Sequence, residues 1–284
     1  MKNILITGVS TGIGYGAARE FIIKGYRVFG SVRRQQDADN LKSEFGENFI
    51  PILFDLTDHE SIYNAVADVK SFLGTEGLDG LINNAGATEA GPLMHFSIES
   101  FRKQIEVLVI GQLVVTQAFL PLLGASKNKQ QKAGRIVMIS SISGETSFPF
   151  LGPYASSKHA LEGLSKSLRI ELKLYGIDVI VIGPGNTKTP ILGKNSRETI
   201  ELYNGTDYYT PMMNLHAYIE NTVPKELMEL DFVTKKLVKI FEKRNPKPRY
   251  TIVKKRIKYW IFSKVLGEKP RSRIVSHMMK IKKL

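Results

Sequence analysis

Apolar runs of strand length alternate with helical patterns along almost the whole chain, and few folds accept that order. Runs near residues 3–7, 26–31, 48–54, 79–82, 135–140, 177–183 and 249–253 read as strands. Stretches near 13–24, 35–45, 58–73, 99–124, 153–174 and 231–243 read as helices. Strand followed by helix, repeated, predicts an α/β fold: a doubly wound parallel sheet covered on both faces. At 284 residues and 43% hydrophobic, the chain can bury one sizeable core. No internal repeat is evident, and Lys127-Asn128-Lys129-Gln130-Gln131-Lys132 reads as a solvated loop before the fifth strand. In such sheets, ligands bind beyond the carboxyl ends of the strands.

The first strand-to-helix turn is rich in glycine. Asn3-Ile4-Leu5-Ile6-Thr7 leads into Gly8-Val9-Ser10-Thr11-Gly12-Ile13-Gly14 and then a helix. Glycines at 8, 12 and 14 let backbone approach a pyrophosphate, and a helix N-terminus offers free N–H groups and a favourable dipole. The spacing is not G-x-G-x-x-G, and no Gly-Lys-Ser/Thr follows, which excludes a Walker phosphate loop. A plain structural turn is the competing reading. Further on, Ser140-Ser141-Ile142-Ser143-Gly144 precedes Pro153-Tyr154-Ala155-Ser156-Ser157-Lys158. Tyr154 and Lys158, four apart, share one helix face, where an ammonium favours the phenolate of a nearby phenol. Taken alone, the pair also reads as an ordinary helix surface.

Together these motifs resemble a classical short-chain dehydrogenase/reductase, in particular its hydroxysteroid/retinol dehydrogenase-like members. Thr7-Gly8-x-x-x-Gly12-x-Gly14, Asp55-Leu56-Thr57, Asn83-Asn84-Ala85-Gly86, Ser141 with Tyr154 and Lys158, and Pro184-Gly185 with Thr187 and Thr189 follow the family's order. The resemblance implies a Rossmann-type single domain over 1–253, with a substrate lid about 190–230 and a basic helical extension over 254–284. It implies hydride transfer between a nicotinamide cofactor and an alcohol or carbonyl group. Ser141, Tyr154 and Lys158 would be catalytic. Gly8, Ser10, Thr11, Gly12, Ile13, Gly14, Arg33, Asp55, Leu56, Asn84, Ala85, Gly86, Pro184, Gly185, Thr187 and Thr189 would bind the cofactor, with Tyr154 and Lys158. Asn83 would be structural. A homodimer through the helices near 99–124 and 153–174 is the relatives' default.

Cofactor choice is read just past the second strand. Val32 stands where members preferring NAD carry Asp, and Arg33 follows, able to clamp a phosphate; NADP(H) is therefore favoured over NAD(H). A solvated Arg33-Arg34 pair is the alternative. Asp55 would contact the adenine amino group, or cap a helix. One departure stands out: many members carry Asn in the stretch Val-Asn-x-x-Gly, and here Leu108 occupies that place in Val107-Leu108-Val109-Ile110-Gly111. It keeps open a second class of function, a nucleotide-binding, catalytically weak regulatory or scaffold protein associated with membrane or an acidic partner.

The lid region holds Ile191, Leu192, Tyr203, Tyr208, Tyr209, Met212, Met213, Leu215 and Tyr218, and Phe148, Phe150 and Leu151 precede Tyr154. These side chains either line a pocket for a hydrophobic alcohol or carbonyl substrate, or pack the lid onto the sheet. The charge is lopsided. Residues 244–284 contain 14 Lys and Arg and one acid, Glu268, so they carry the whole net charge of +13. There Ile257, Tyr259, Trp260, Ile261, Phe262, Val265 and Leu266 interleave with basic residues, and Ile274, Val275, Met278 and Ile281 form a helical stripe. The tail covers the substrate cleft, meets an anionic membrane surface, or binds nucleic acid or an acidic partner, though no nucleic-acid motif accompanies it. With no cysteine and five scattered histidines, no metal site is expected. A first strand starting at residue 3 and no span-length apolar run predict a cytoplasmic protein, peripheral to membrane if the tail docks there.

Overall fold

The computed structural model describes residues 1–127, 132–190 and 197–281. The strands are β1 Lys2–Ile6, β2 Tyr26–Val32, β3 Phe49–Leu53, β4 Gly80–Asn83, β5 Arg135–Ile139, β6 Asp178–Pro184 and β7 Arg249–Ile252. They form one parallel sheet in the order β3-β2-β1-β4-β5-β6-β7, the doubly wound arrangement that the alternation predicts. The helices are α1 Gly12–Ile23, α2 Gln35–Phe45, α3 His59–Leu73, α4 Ile98–Ile105, α5 Gly111–Phe119, α6 Gly152–Glu171, α7 Arg197–Glu201, α8 Tyr209–Glu226, α9 Leu230–Phe241, α10 Arg256–Trp260 and α11 Glu268–Met278.

Side chains alternate across each strand, so the sheet has two apolar faces. Ile4 and Ile6 of β1 join Phe21 of α1, Leu41 of α2 and Val238 and Phe241 of α9 on one face. Leu5 joins Ile62 and Val69 of α3, Val115 and Phe119 of α5 and Leu161 and Leu168 of α6 on the other. Ile4 lies opposite Val28 of β2 on one side and Gly80 of β4 on the other, which makes β1 the hinge of the strand order. The crevice at that switch is where a doubly wound sheet takes its ligand.

Three elements differ from expectation. The single helix expected over 99–124 is α4 and α5 joined by a π turn, Glu106–Ile110, with Leu108 fully buried inside it. The extra residue sits where Gly111 presses against the Leu56 carbonyl, a contact a Cβ would bring to 2.6 Å. The lid contains a long helix, α8, whose period is obscured by polar residues and by Pro224 near its end. The tail stripe stops early: α11 ends at Met278, and Ile281 lies beyond it. Ile191, Leu192 and residues 128–131 lie outside the described residues.

Phe241 illustrates how α9 is fixed. Its ring meets Phe21 edge-on at 5.2 Å and Tyr26 at 6.3 Å, and it fills the space above Gly80, where any Cβ would overlap it. Phe241→Ala is expected to lower unfolding free energy by about 3–5 kcal/mol in urea denaturation.

Candidate active site

The glycine turn is held by a clasp between the ends of β1 and β4. The Thr7 hydroxyl accepts the Asn84 and Ala85 N–H groups, each at 2.9 Å. In return, the Asn84 amide donates to the Thr7 carbonyl at 2.9 Å and the Gly8 carbonyl at 3.1 Å. Asn84, expected beside a cofactor, thus spends its donors on the loop while still lining the cavity. Gly8 and Gly12 have φ of 69° and 62°, which side chains resist. Gly14 is buried because a Cβ there would overlap the Gly8 carbonyl and the Asn84 amide. Thr11 makes no side-chain cap to α1. Asn83 is structural in geometry, its buried amide donating to Thr116 at 2.8 Å.

At the adenine-side end the two neighbouring arginines behave differently. Arg34 is held by Asp37 through two hydrogen bonds of 2.9 and 2.8 Å. Arg33 lies 3.7 Å from Asp55 and is 77% exposed, leaving its guanidinium available. Burial alone would raise the Asp55 carboxyl, but hydrogen bonds from the Thr57 N–H and hydroxyl, with the Arg33 charge, hold it below its ordinary value. At the far end, β6 stops at Pro184, the Gly185 N–H donates to Ile252, and the Thr187 hydroxyl donates to the Gly185 carbonyl at 3.0 Å. The Thr189 hydroxyl donates to the Thr187 carbonyl at 3.3 Å.

Ser141 lies two residues beyond β5 and caps a short turn, its hydroxyl accepting the Ser143 N–H at 3.1 Å. Tyr154 and Lys158 come from the first turns of α6, with the ammonium 5.8 Å from the Tyr154 ring centre. Burial pushes the Tyr154 phenol up, and its hydrogen bond with Ser141 pulls it partly back. Burial pushes Lys158 down from 10.5 to about 8, against the attraction of Glu162. The lowering of the phenol expected from Lys158 is therefore not the direction in this arrangement. The ammonium donates to the Ile139 carbonyl at 2.7 Å instead.

All the residues expected at the site except Gly14 line one cavity of about 830 Å³. The lid divides. Leu215 and Tyr218 line the cavity together with Phe148 and Leu151. Tyr203, Tyr208, Tyr209, Met212 and Met213 are outside that lining and pack in an apolar cluster with Ile200 and Met279, which Leu215 and Phe148 also join. Phe150, expected in the pocket wall, belongs to that cluster, turned away at φ 66°. Sequence reasoning missed Ile219, Thr222 and Val223, one helical face of α8, which also line the cavity. Leu108 lines it too, packed where Gly86 leaves room.

Sequence reasoning also missed a buried ionic network behind Ser141. Arg249, at the start of β7, donates to both Glu162 oxygens at 3.0 and 3.1 Å, pairs with Glu145 at 2.7 Å and reaches the Ser141 carbonyl at 3.3 Å. Gly183 and Gly144 make room: a Cβ on the first would overlap Arg249, and on the second would lie 2.6 Å from the Ser140 hydroxyl. Glu145 also receives Tyr259 at 3.0 Å and Lys264 at 2.6 Å, both from the tail. Burial would raise Glu145, and these cations and the Tyr259 hydroxyl together hold it down. Two signals for the network were present in the sequence: Glu162 follows Lys158 by one helical turn, and Arg249 begins an otherwise apolar strand.

The chain belongs to the short-chain dehydrogenase/reductase family: the short chain dehydrogenase profile matches residues 2–200. It is 38% identical over 259 residues to the NADPH-dependent 3-dehydrocapnine reductase of Ornithobacterium rhinotracheale, covering 91% of this chain and 90% of that one. To dehydrogenase/reductase SDR family member 9 of Bos taurus it is 33% identical over 270 residues, covering 92% and 82%. Retinol and 17-beta-hydroxysteroid dehydrogenases are among its relatives. The crystal structure of a short-chain dehydrogenase from Streptomyces avermitilis superposes with a TM-score of 0.78 at 25% identity, covering 98% of this chain and 96% of that one. The chain is thus an oxidoreductase of this family.

Two outcomes follow from the buried charges. Arg249→Met leaves the buried Glu162 carboxylate without its cation, while Glu145 keeps Lys264 and Tyr259, and is expected to cost about 3 kcal/mol of stability in urea denaturation. Lys158 has a folded-state pKa of about 8, below its ordinary 10.5, so the unfolded chain binds more protons between those values. The stability of the wild type relative to Lys158→Met therefore rises with pH across that window, by about 1.4 kcal/mol for each unit of pKa separation. Thermal unfolding of both proteins at a series of pH values measures this difference.

Proposed function

We propose that the chain is an NADP(H)-dependent oxidoreductase that interconverts the alcohol and carbonyl forms of a hydrophobic substrate. The observation that carries the reading is the meeting of Ser141, Tyr154 and Lys158 in one cavity whose wall includes Phe148, Leu151, Leu215 and Tyr218. The cradle fits a dinucleotide. Gly8 and Gly12 adopt backbone that only glycine takes easily, Gly14 keeps the turn closed, and Ser10, Thr11 and Ile13 line the cavity at the start of α1. Ala85, Gly86 and Leu56 line it on the other side of the turn. Pro184, Gly185, Thr187 and Thr189 would hold the nicotinamide end. Arg33, paired only at 3.7 Å with Asp55 where Arg34 makes two close hydrogen bonds to Asp37, supports NADP(H), as does the NADPH dependence in the name of the Ornithobacterium relative.

The hydride chemistry is what a nicotinamide dinucleotide supplies when bound. The chain's own residues handle the oxygen. In reduction, the Tyr154 hydroxyl gives its proton to the substrate oxygen; in oxidation, the phenolate takes the proton back. The Ser141 hydroxyl orients that oxygen and stabilises the charge developing on it. The Lys158 ammonium, set over the Tyr154 ring, favours the phenolate once the transfer begins. In this reading residues 1–253 form the catalytic domain, residues about 190–230 its lid and residues 254–284 an extension. A second reading, binding without appreciable turnover, has the buried Leu108 as its support.

NADPH oxidation against a panel of long-chain and cyclic ketones and aldehydes tests the proposal. Tyr154→Phe is expected to lower kcat by about 10²–10⁴-fold with NADPH affinity retained. Arg33→Ala is expected to raise the KM for NADPH by about tenfold or more, with little change for NADH. Turnover that survives in Tyr154→Phe overturns the catalytic assignment, and tight NADPH binding with no turnover across the panel favours the second reading.

A further inference from the structure

The tail sorts its side chains into two faces. Toward the protein, Tyr259 donates to Glu145 at 3.0 Å, Phe262 stacks on Phe148 at 6.0 Å, and Ser263 is buried. Tyr259 and Phe262 line the cavity. The same ten residues turn Ile257, Trp260, Ile261 and Val265 outward, at 76%, 57%, 43% and 57% exposure. Two of the readings of the tail left open by the sequence, cleft cover and membrane contact, therefore concern opposite faces of one short segment. Covering the cleft uses the inner face and leaves the outer one unexplained.

The outer face is apolar within a basic field. Residues 254–284 hold eleven Lys and Arg and one acid. Lys255 and Lys258 share Glu226 at 3.1 and 3.7 Å, and Lys264 is committed to Glu145. Arg256, Lys269 and Arg273 are exposed and have no ion-pair partner among the described residues. A merely solvated face would not carry four large apolar side chains so close together. No helix among the described residues is long and apolar enough to cross a membrane, and a short basic segment with an apolar face is the kind that binds in the plane of a lipid surface. Apolar side chains then enter the acyl boundary while the cations stay at the headgroups.

We infer that the outer face of residues 256–265 docks on a bilayer surface that carries anionic lipids. Charge complementarity selects that occupant: the whole net charge of +13 lies in residues 244–284. One short segment then touches lipid on one side and the cavity on the other. The docking does not depend on the proposed reaction. Where both hold, a lipophilic substrate has an apolar route between bilayer and cavity.

Trp260 is the only tryptophan, so the full chain reports on its own docking face. Its emission and the protein's co-sedimentation are followed with vesicles of phosphatidylcholine, with and without phosphatidylglycerol, at low and high salt. A blue shift with co-sedimentation is expected on the anionic vesicles, weakened by salt and absent on the neutral ones. Ile257→Glu/Ile261→Glu is expected to abolish both signals with its thermal unfolding unchanged, and Arg256→Glu to weaken binding about fivefold or more. No shift on anionic vesicles at low salt overturns the inference. So does binding that survives in the double variant. So does a shift that grows with protein concentration without vesicles, which assigns the face to a second copy, or one produced equally by a DNA duplex, which assigns it to nucleic acid. None of these readouts uses turnover, so the proposed reaction and the docking fail separately.

Discussion

The clasp between Thr7 and Asn84 is the constraint on which the site rests. One hydroxyl accepts two N–H groups and one amide returns two hydrogen bonds, so the ends of β1 and β4 meet at fixed separation. That closeness forbids a side chain at Gly8, where a Cβ would lie 2.8 Å from Ala85, and one at Gly14, where it would overlap the Gly8 carbonyl. The glycines are thus required twice, by the packing of the turn and by the bare backbone it offers to a ligand. Because β1 and β4 flank the point where the strand order reverses, the clasp also opens the crevice in which the site forms.

A second polar assembly stands behind the end of β5. Arg249 gathers Glu145, Glu162 and the Ser141 carbonyl, and Glu145 in turn holds Tyr259 and Lys264 of the tail. Such groups are costly to bury, and they persist only because each has several partners. The arrangement joins three distant parts of the chain: the end of β5, the face of α6 one turn beyond Lys158, and the extension. The segment that carries the protein's charge is therefore tied to the turn that carries Ser141. The same tie fixes which face of the tail is inward, and so which side chains remain for an outside partner.

Much of this was legible in the residues alone. The strands fall within one or two residues of their apolar runs, because a parallel sheet buried on both faces writes itself as continuous apolar text. The glycine turn, Asp55-Leu56, Asn84-Ala85-Gly86, Ser141, Tyr154, Lys158 and Pro184-Gly185 were legible as motifs, because backbone approach and proton transfer demand particular residue types at short spacing. The tail's charge was a matter of counting. Tertiary structure decided the rest. Arg33 and Arg34 are identical in chemistry, and what separates them is how closely each is held, at 3.7 Å by Asp55 and through two short hydrogen bonds by Asp37. Leu215 and Tyr218 line the cavity while Met212 and Tyr209 pack on α11 and the lid, a matter of helix face. Phe150 and Leu151 are neighbours in sequence and end in different places, Leu151 on the cavity and Phe150 packed with Ile200 and Met212. Arg249 and Glu145 are 104 residues apart and meet only because β7 lies beside β6. Local sequence determined which groups this protein has and the elements that carry them; burial and long-range packing determined which of those groups remain free to act.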